Sequence, residues 1–366
     1  MSQRQNFVNA PLAAPMNYRP QLDGLRALAV ACVAYSHWVP KEYHFGLPWG
    51  PGGVQLFFVL SGFLITGILL RCRTYGNWVF AARAFYARRF LRIFPLFYAV
   101  LLATYLLDIE PIRETIAWHI TYLSNFYFFS NQAWDAHISH FWSLAVEEQF
   151  YLFWPAVILC VPARYLRHSV LTLVAIGILS RFFLPLTFTD VNTEFLGVLP
   201  NSNFDALGLG ALLACISAGM FTRSIVRLCV FAIPVYLGLF IMRSATDFTI
   251  PFQWQWPCER LVMLLSFTWL IGSASVGFTG RTQAVLEFPV MLYLGRISYG
   301  LYVLHDFAAI PVRLIADGLG MPGLKFGLPG FVLMSIVTVA GASLSWYCLE
   351  APLNRLKKRY PYRKMR

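Results

Sequence analysis

Long apolar runs separated by short polar stretches, many of them rich in arginine, set the layout of this chain. Runs of spanning length cover Leu22 to Val39, Val54 to Leu70, Ile93 to Leu107, Phe141 to Val161, Ser169 to Leu186, Phe204 to Met220, Ile225 to Met242, Arg260 to Phe278, Ser298 to Ile315 and Leu328 to Leu349. A helix needs roughly 20 apolar residues to cross about 30 Å of hydrocarbon, so the pattern predicts about ten transmembrane helices. One further stretch, Thr115 to Ser130, is short and mixes polar with aromatic residues. If it crossed, Arg164, Arg167, Arg223, Arg227 and the basic C-terminal tail would all face outward. If it only dips into the membrane or lies on it, every arginine-rich loop falls on one side. Positively charged loops stay inside, so the second arrangement is predicted: an all-α integral membrane protein with a re-entrant or interfacial segment and both termini cytoplasmic. The acidic residues Asp108, Glu110, Asp190, Glu194 and Asp247 then fall in external loops.

Composition agrees with this layout. Of 366 residues, 58% are hydrophobic and only 13% charged, which excludes an ordinary soluble domain. The net charge of +12 raises nucleic acid as a partner, but no soluble domain presents a basic face. Cytoplasmic loops and contact with membrane lipids account for the charge, and no nucleic-acid partner is expected. The seven cysteines follow no repeating spacing and imply neither a disulfide framework nor a zinc site. Residues 1–20 are polar and lack a secretory signal pattern, so the first span is expected to stay as an anchor. The domain expectation is a cytoplasmic segment over 1–20, one membrane domain over 21–350 and a basic cytoplasmic tail over 351–366, without internal repeats or an appended soluble domain.

Charged and polar residues inside the spans carry the chemistry. A charge in hydrocarbon costs roughly 2.5–3.5 kcal/mol on insertion scales, so such residues usually line a bundle interior. Arg26 and His37 stand eleven positions apart in the first span, and at about 100° per residue they share one helix face, about 16 Å apart along the axis. That face is expected to form a wall of a deep site. Ahead of Pro95, the stretch AARAFYARRFLRI clusters Arg88, Arg89 and Arg92 on an amphipathic helix. Such arginines can anchor topology at the headgroups, yet the loop holds no lysine, and guanidinium forks suit an anion clamp. In the fourth span, adjacent Glu147 and Glu148 point about 100° apart and cannot share a proton. Glu147, on the face of Ser143 and Tyr151, is the site candidate; Glu148 reads as an interior structural acid. In the ninth span Ser298, Tyr302 and His305 form a polar stripe at i, i+4 and i+7, followed by Asp306. Ser61 and Gly62 in the second span, and Gly208 and Gly210 in the sixth, read as packing positions, with Asp205 beside them a weaker site candidate. His137 and His140 raise a metal, but a full ligand set is not evident, and no metal is assigned.

These stretches together resemble the acyltransferase 3 family of bacterial integral-membrane acyltransferases. The segments QLDGLRALAVACVAYSHW, GGVQLFFVLSGFLITGILL, FYARRFLRIFPLFY, HFWSLAVEEQFYLFWP and GRISYGLYVLH follow the family order from Gln21 to His305. Arg26 and His37 match its arginine, ten residues, histidine motif; Arg89 and Arg92 match its paired arginines; Glu147 matches the glutamate of its Trp-Ser-Leu helix. The resemblance implies an acyl-coenzyme A donor, usually acetyl-coenzyme A, a hydroxylated acceptor such as a cell-surface polysaccharide or lipid-linked glycan, and a multi-pass location in the bacterial inner membrane. Some relatives add an extracytoplasmic esterase-like domain, which is not seen here.

The combined expectation has Arg89 and Arg92, together with Arg88, holding coenzyme A phosphates, with the pantetheine arm along the face from Arg26 to His37. His37 would serve as general base, oriented by Glu147, and Ser298, Tyr302 or His305 would donate hydrogen bonds to the oxyanion. A transporter or flippase of a glycan or small metabolite is the alternative, since it too would bury such residues in a multi-span bundle. External aromatic residues such as Trp134, Trp254 and Trp256 either stack on sugars or form interfacial belts.

Overall fold

The computed structural model describes residues 18–217, 227, 229–245 and 252–362, the side chains of 242–245 and 252–256 excepted. Most of the expected N-terminal segment, Arg223, Asp247, the rings of Trp254 and Trp256, and the tail cations Arg363, Lys364 and Arg366 lie outside the described residues. Every regular element among the described residues is helical. In chain order these are α1 (Pro20–Trp38), α2 (Trp49–Arg73), α3 (Trp78–Leu106), α4 (Ile112–Ile120), α5 (Ser124–Asn131), α6 (Phe141–Cys160), α7 (Ala163–Thr187), α8 (Thr193–Leu196) and α9 (Phe204–Ser217). Then come α10 (Ala232–Ala245), α11 (Phe252–Val276), α12 (Gly280–Leu286), α13 (Pro289–Arg296), α14 (Ser298–Leu304), α15 (Ala309–Gly318), α16 (Gly327–Ser345) and α17 (Ala351–Arg355).

Among the described residues, five helices are long and apolar enough to cross a membrane: Trp49–Arg73, Trp78–Leu106, Ala163–Thr187, Pro257–Val276 and Gly327–Arg359. Of the other expected spans, the sixth and seventh run partly outside the described residues, at 218–220, 225–226 and 228, and the remaining three take different forms. Two of them, α1 and α6, have nearly the expected lengths but carry the ionisable residues that lower their hydropathy. The ninth is broken, since α14 ends at Leu304 and a tight turn over His305–Ala308 leads into α15. The stretch Thr115 to Ser130 forms neither a span nor a single helix; it is divided between α4 and α5. The arginine-rich segment enters the third span directly. It runs without interruption through Pro95 as the first half of the 29-residue α3, started by Asn77, whose side chain accepts from the Phe80 amide at 2.9 Å.

Helix α2 is the centre of the bundle, 72% of its apolar window being buried within the protein. It packs on α1, α6 and α9. Glycines permit the closest of these approaches. A Cβ at Gly62 would strike the Leu207 carbonyl, and one at Gly210 would strike the Val59 carbonyl, so α2 and α9 meet backbone to backbone.

Beside this contact lies a buried ionic cluster. Asp205 at the start of α9 accepts from Arg181 Nε at 2.8 Å and from Arg260 Nη2 at 2.9 Å, and all three side chains are almost fully buried. Asn203 adds an oxygen 3.2 Å from Arg260 and is itself held through its amide to the Leu199 carbonyl at 2.9 Å. Asp205 thus joins α7, α9 and α11 and belongs to the scaffold. Removing one partner of a buried pair leaves uncompensated charge. Asp205→Ala is therefore expected to lower stability by about 3–5 kcal/mol, read as a loss of thermal unfolding temperature in detergent.

Candidate active site

A cavity of about 380 Å³ opens between α1, α2, α3, α6 and α14. Its lining includes Arg26, Arg88, Arg89, Arg92, Glu147, Ser298 and Tyr302, all expected from the sequence, and also Glu148, Ser61, Tyr151, Tyr299, Lys357 and Tyr362. The i, i+3 and i, i+4 spacing on α3 brings the three arginines to one side of it. Among the described residues, the only carboxylate within 4.0 Å of these three is Glu350, 3.7 Å from Arg92. Aromatic rings hold the guanidinium planes instead: Arg89 lies 5.5 Å from Tyr151 and 5.8 Å from Phe85, Arg92 lies 5.3 Å from Trp346, and Arg88 lies 4.8 Å from Tyr362. Arg26 pairs with Asp23 one turn earlier on α1.

Glu147 accepts from Ser61 Oγ at 2.5 Å, and Tyr151 donates to the same hydroxyl at 3.0 Å. The Tyr151–Ser61–Glu147 chain spans α6 and α2. Ser61 therefore has a polar role as well as the packing role read for it; α2 offers two hydroxyls, and the other, Thr66, accepts from Trp154 Nε1 at 2.8 Å. Glu148 also departs from expectation: it reaches the cavity wall, and its buried Oε1 has no hydrogen-bond partner among the described residues.

His37 and His305 do not line the cavity. They meet around Asp306, in a cluster that also holds His140 and touches His137. His37 Nδ1 lies 2.7 Å from Asp306 Oδ1, His140 Nδ1 lies 3.0 Å from Oδ2, and His305 Nε2 lies 3.5 Å from Oδ1. The orienting partner of His37 is therefore Asp306, not Glu147, because α14 ends at Leu304 and the following turn swings the carboxylate under the last turn of α1. Backbone carbonyls take up the remaining nitrogens of the two buried rings: His305 Nδ1 reaches Tyr302 O at 2.6 Å, and His140 Nε2 reaches Val303 O at 3.2 Å. Only the His37 side chain is substantially accessible, at 33%, against 1% for His140 and 0% for His305.

Tyr302 joins the two halves. It lines the cavity, its hydroxyl lies 2.5 Å from Ser143 Oγ, and its ring centroid is 5.5 Å from His140 and 5.6 Å from His305. Neither the Asp306 carboxylate nor the inward-turned Lys357 and Tyr362 were assigned roles by the sequence. One ligand atom each from His37, His305 and Asp306 lies within 4.8 Å of the others, a donor set that a metal ion can use. However, two ligands of a tetrahedral ion bound at about 2.1 Å stand roughly 3.4 Å apart, and the 2.7 Å contact of His37 with Asp306 is a hydrogen bond.

The family model of an acyltransferase domain, acyltransferase 3, matches residues 19–347. The chain is 27% identical over 367 residues to the peptidoglycan O-acetyltransferase OatA of Listeria monocytogenes, an alignment covering 92% of this chain and 56% of that protein. It is 28% identical over 361 residues to the O-acetyltransferase OatA of Staphylococcus aureus, covering 92% of this chain and 57% of that protein. The chain thus spans a little over half the length of these relatives. No solved structure matches it.

The Ser61–Glu147 bond gives a direct prediction. Ser61→Ala is expected to cost about 1–3 kcal/mol by stranding a buried carboxylate. A double-mutant cycle with Glu147→Gln, followed by thermal unfolding, is expected to show a coupling above about 0.5 kcal/mol.

Proposed function

Since this chain belongs to the acyltransferase 3 family, we propose that it is a membrane O-acyltransferase moving an acyl group, most simply acetyl, from cytoplasmic acyl-coenzyme A to a hydroxyl of a cell-surface glycan. The observation that carries this reading is a cavity with three arginines at one side, weakly matched by carboxylates, and Tyr302 at another, in contact with a histidine–aspartate cluster. Guanidinium groups left without carboxylates are suited to phosphates. The reading places the protein in the bacterial inner membrane, with about ten crossings and both ends cytoplasmic. The contact of Arg88 with the Lys357 carbonyl supports that topology, because it needs the basic loop and the tail on one side of the membrane.

In this scheme Arg89 and Arg92 hold the phosphates, and the pantetheine arm runs past Arg26 toward Tyr302. With Nδ1 bonded to Asp306 and no hydrogen bond to Nε2 among the described residues, His37 is placed to use Nε2 as general base, the geometry of a base fixed by an orienting carboxylate. His37 takes the proton of the acceptor hydroxyl; the oxygen bonds to the acyl carbon, the carbon–sulfur bond breaks, and the proton ends on the coenzyme A thiol. Tyr302 and Ser298 are the hydrogen-bond donors nearest the oxyanion. His305 is less suited to that role, since one of its nitrogens faces the Tyr302 carbonyl and the other faces Asp306. Glycan is the proposed acceptor class because the relatives are named for O-acetyl transfer, in one case to peptidoglycan. No metal takes part in this scheme.

Thermal unfolding with and without acetyl-coenzyme A tests the donor. At 100 times the dissociation constant the wild type should gain about 2.7 kcal/mol, and the Arg89→Ala, Arg92→Ala double variant should gain far less. An unshifted wild type would refute the donor assignment. His37→Ala, correctly folded and still stabilised by donor, is expected to lose transfer activity by at least about 100-fold, measured as acceptor-dependent thiol release.

A further inference from the structure

We propose that the C-terminal segment 356–362 is a wall of the donor site, in which Lys357 contacts the donor phosphates and Arg88 docks the segment. The inference rests on the reading of the cavity as a coenzyme A site and adds to it a second element, remote in sequence from the arginine helix.

The tail is rich in cations, but it does not present them equally. Arg355, Lys358 and Arg359 are exposed, whereas Lys357 is turned inward and lines the cavity together with Tyr362. The segment is held there by Arg88. Its Nη1 donates to the Lys357 carbonyl at 3.0 Å and lies 3.4 Å from the Tyr360 carbonyl, and its guanidinium covers the Tyr362 ring at 4.8 Å. Arg88 therefore spends its fork on main chain and ring, which separates its role from those of Arg89 and Arg92. Four cations, Arg88, Arg89, Arg92 and Lys357, now border one cavity, and among the described residues only Glu350 lies within ion-pair distance of any of them. Converging like charges repel at such range, so the arrangement favours a ligand with several negative charges at one end. The adenosine 3′-phosphate and the pyrophosphate of coenzyme A have that character; pantetheine, which carries neither, is the matched control.

The test is equilibrium binding of coenzyme A and of pantetheine to the full-length protein in detergent. Lys357→Ala should weaken coenzyme A binding about tenfold and leave pantetheine binding unchanged, as expected for loss of one charge-assisted contact. Lys357→Arg should restore most of the affinity. Coenzyme A should slow tryptic cleavage after Lys357 and Lys358 in the wild type, and this protection should vanish in Arg88→Ala, whose cooperative unfolding checks that the fold survives. Unchanged coenzyme A affinity in Lys357→Ala, an equal loss for both ligands, or a tail that coenzyme A does not protect would each overturn the proposal. A wild type that binds no coenzyme A would instead remove the donor reading beneath it, so the two failures are distinct.

Discussion

The cost of placing charge among apolar helices governs this structure. The chain meets it in two ways. Where the charges are scaffold, they are closed into a compact cluster: Arg181 and Arg260 converge on Asp205, and both also reach the Ser202 carbonyl and the Asn203 side-chain oxygen. At the cavity, Arg88 and Arg89 are held by rings and backbone carbonyls that support a guanidinium without neutralising it, while Arg26 and Arg92 each keep a single carboxylate, Asp23 and Glu350. The same residue type thus serves two ends, and what separates them is whether two arginines share one buried carboxylate, as at Asp205, or several converge on open space.

This distinction explains what could be read from the sequence. An interior arginine, glutamate or histidine is improbable enough to be noticed, so Arg26, Arg89, Arg92 and Glu147 stood out before any coordinates, and all four reach one cavity. Helical period placed Arg26 and His37 on one face. It did not reveal that Tyr302 would lie against the rings next to His37, because that depends on where α14 stops and how the following turn packs. The assignment of Glu147 to His37 failed for the same reason: period relates residues on one helix, whereas Asp306 comes to His37 from a break between two.

Other differences have equally local causes. Glu148 was expected behind the active face because it points about 100° from Glu147, but the cavity is wide enough for its lining to include both. The tail was counted only as charge on the cytoplasmic side. Lys357 is set apart from Lys358 and Arg359 by orientation alone, fixed by hydrogen bonds from Arg88 to carbonyl groups, and carbonyls carry no sequence signal.

The division between cavity and histidine cluster has a chemical consequence. A thioester is exposed to hydrolysis wherever an activated base meets water before it meets the acceptor. His37 is the accessible member of its cluster, while the cavity meets that cluster through Tyr302 and Ser143, joined at 2.5 Å. Phe57 packs against the same Tyr302 ring at 5.9 Å and adds apolar cover on the cavity side. In the proposed scheme such a wall would keep the base and the thioester apart until the arm of the donor passed it. Contact would then require a ligand long enough to be held at the arginines while its reactive end reached the tyrosine. Phosphate recognition and acyl transfer would be coupled by length, so that binding energy gathered at the charged end could position the carbonyl at the other.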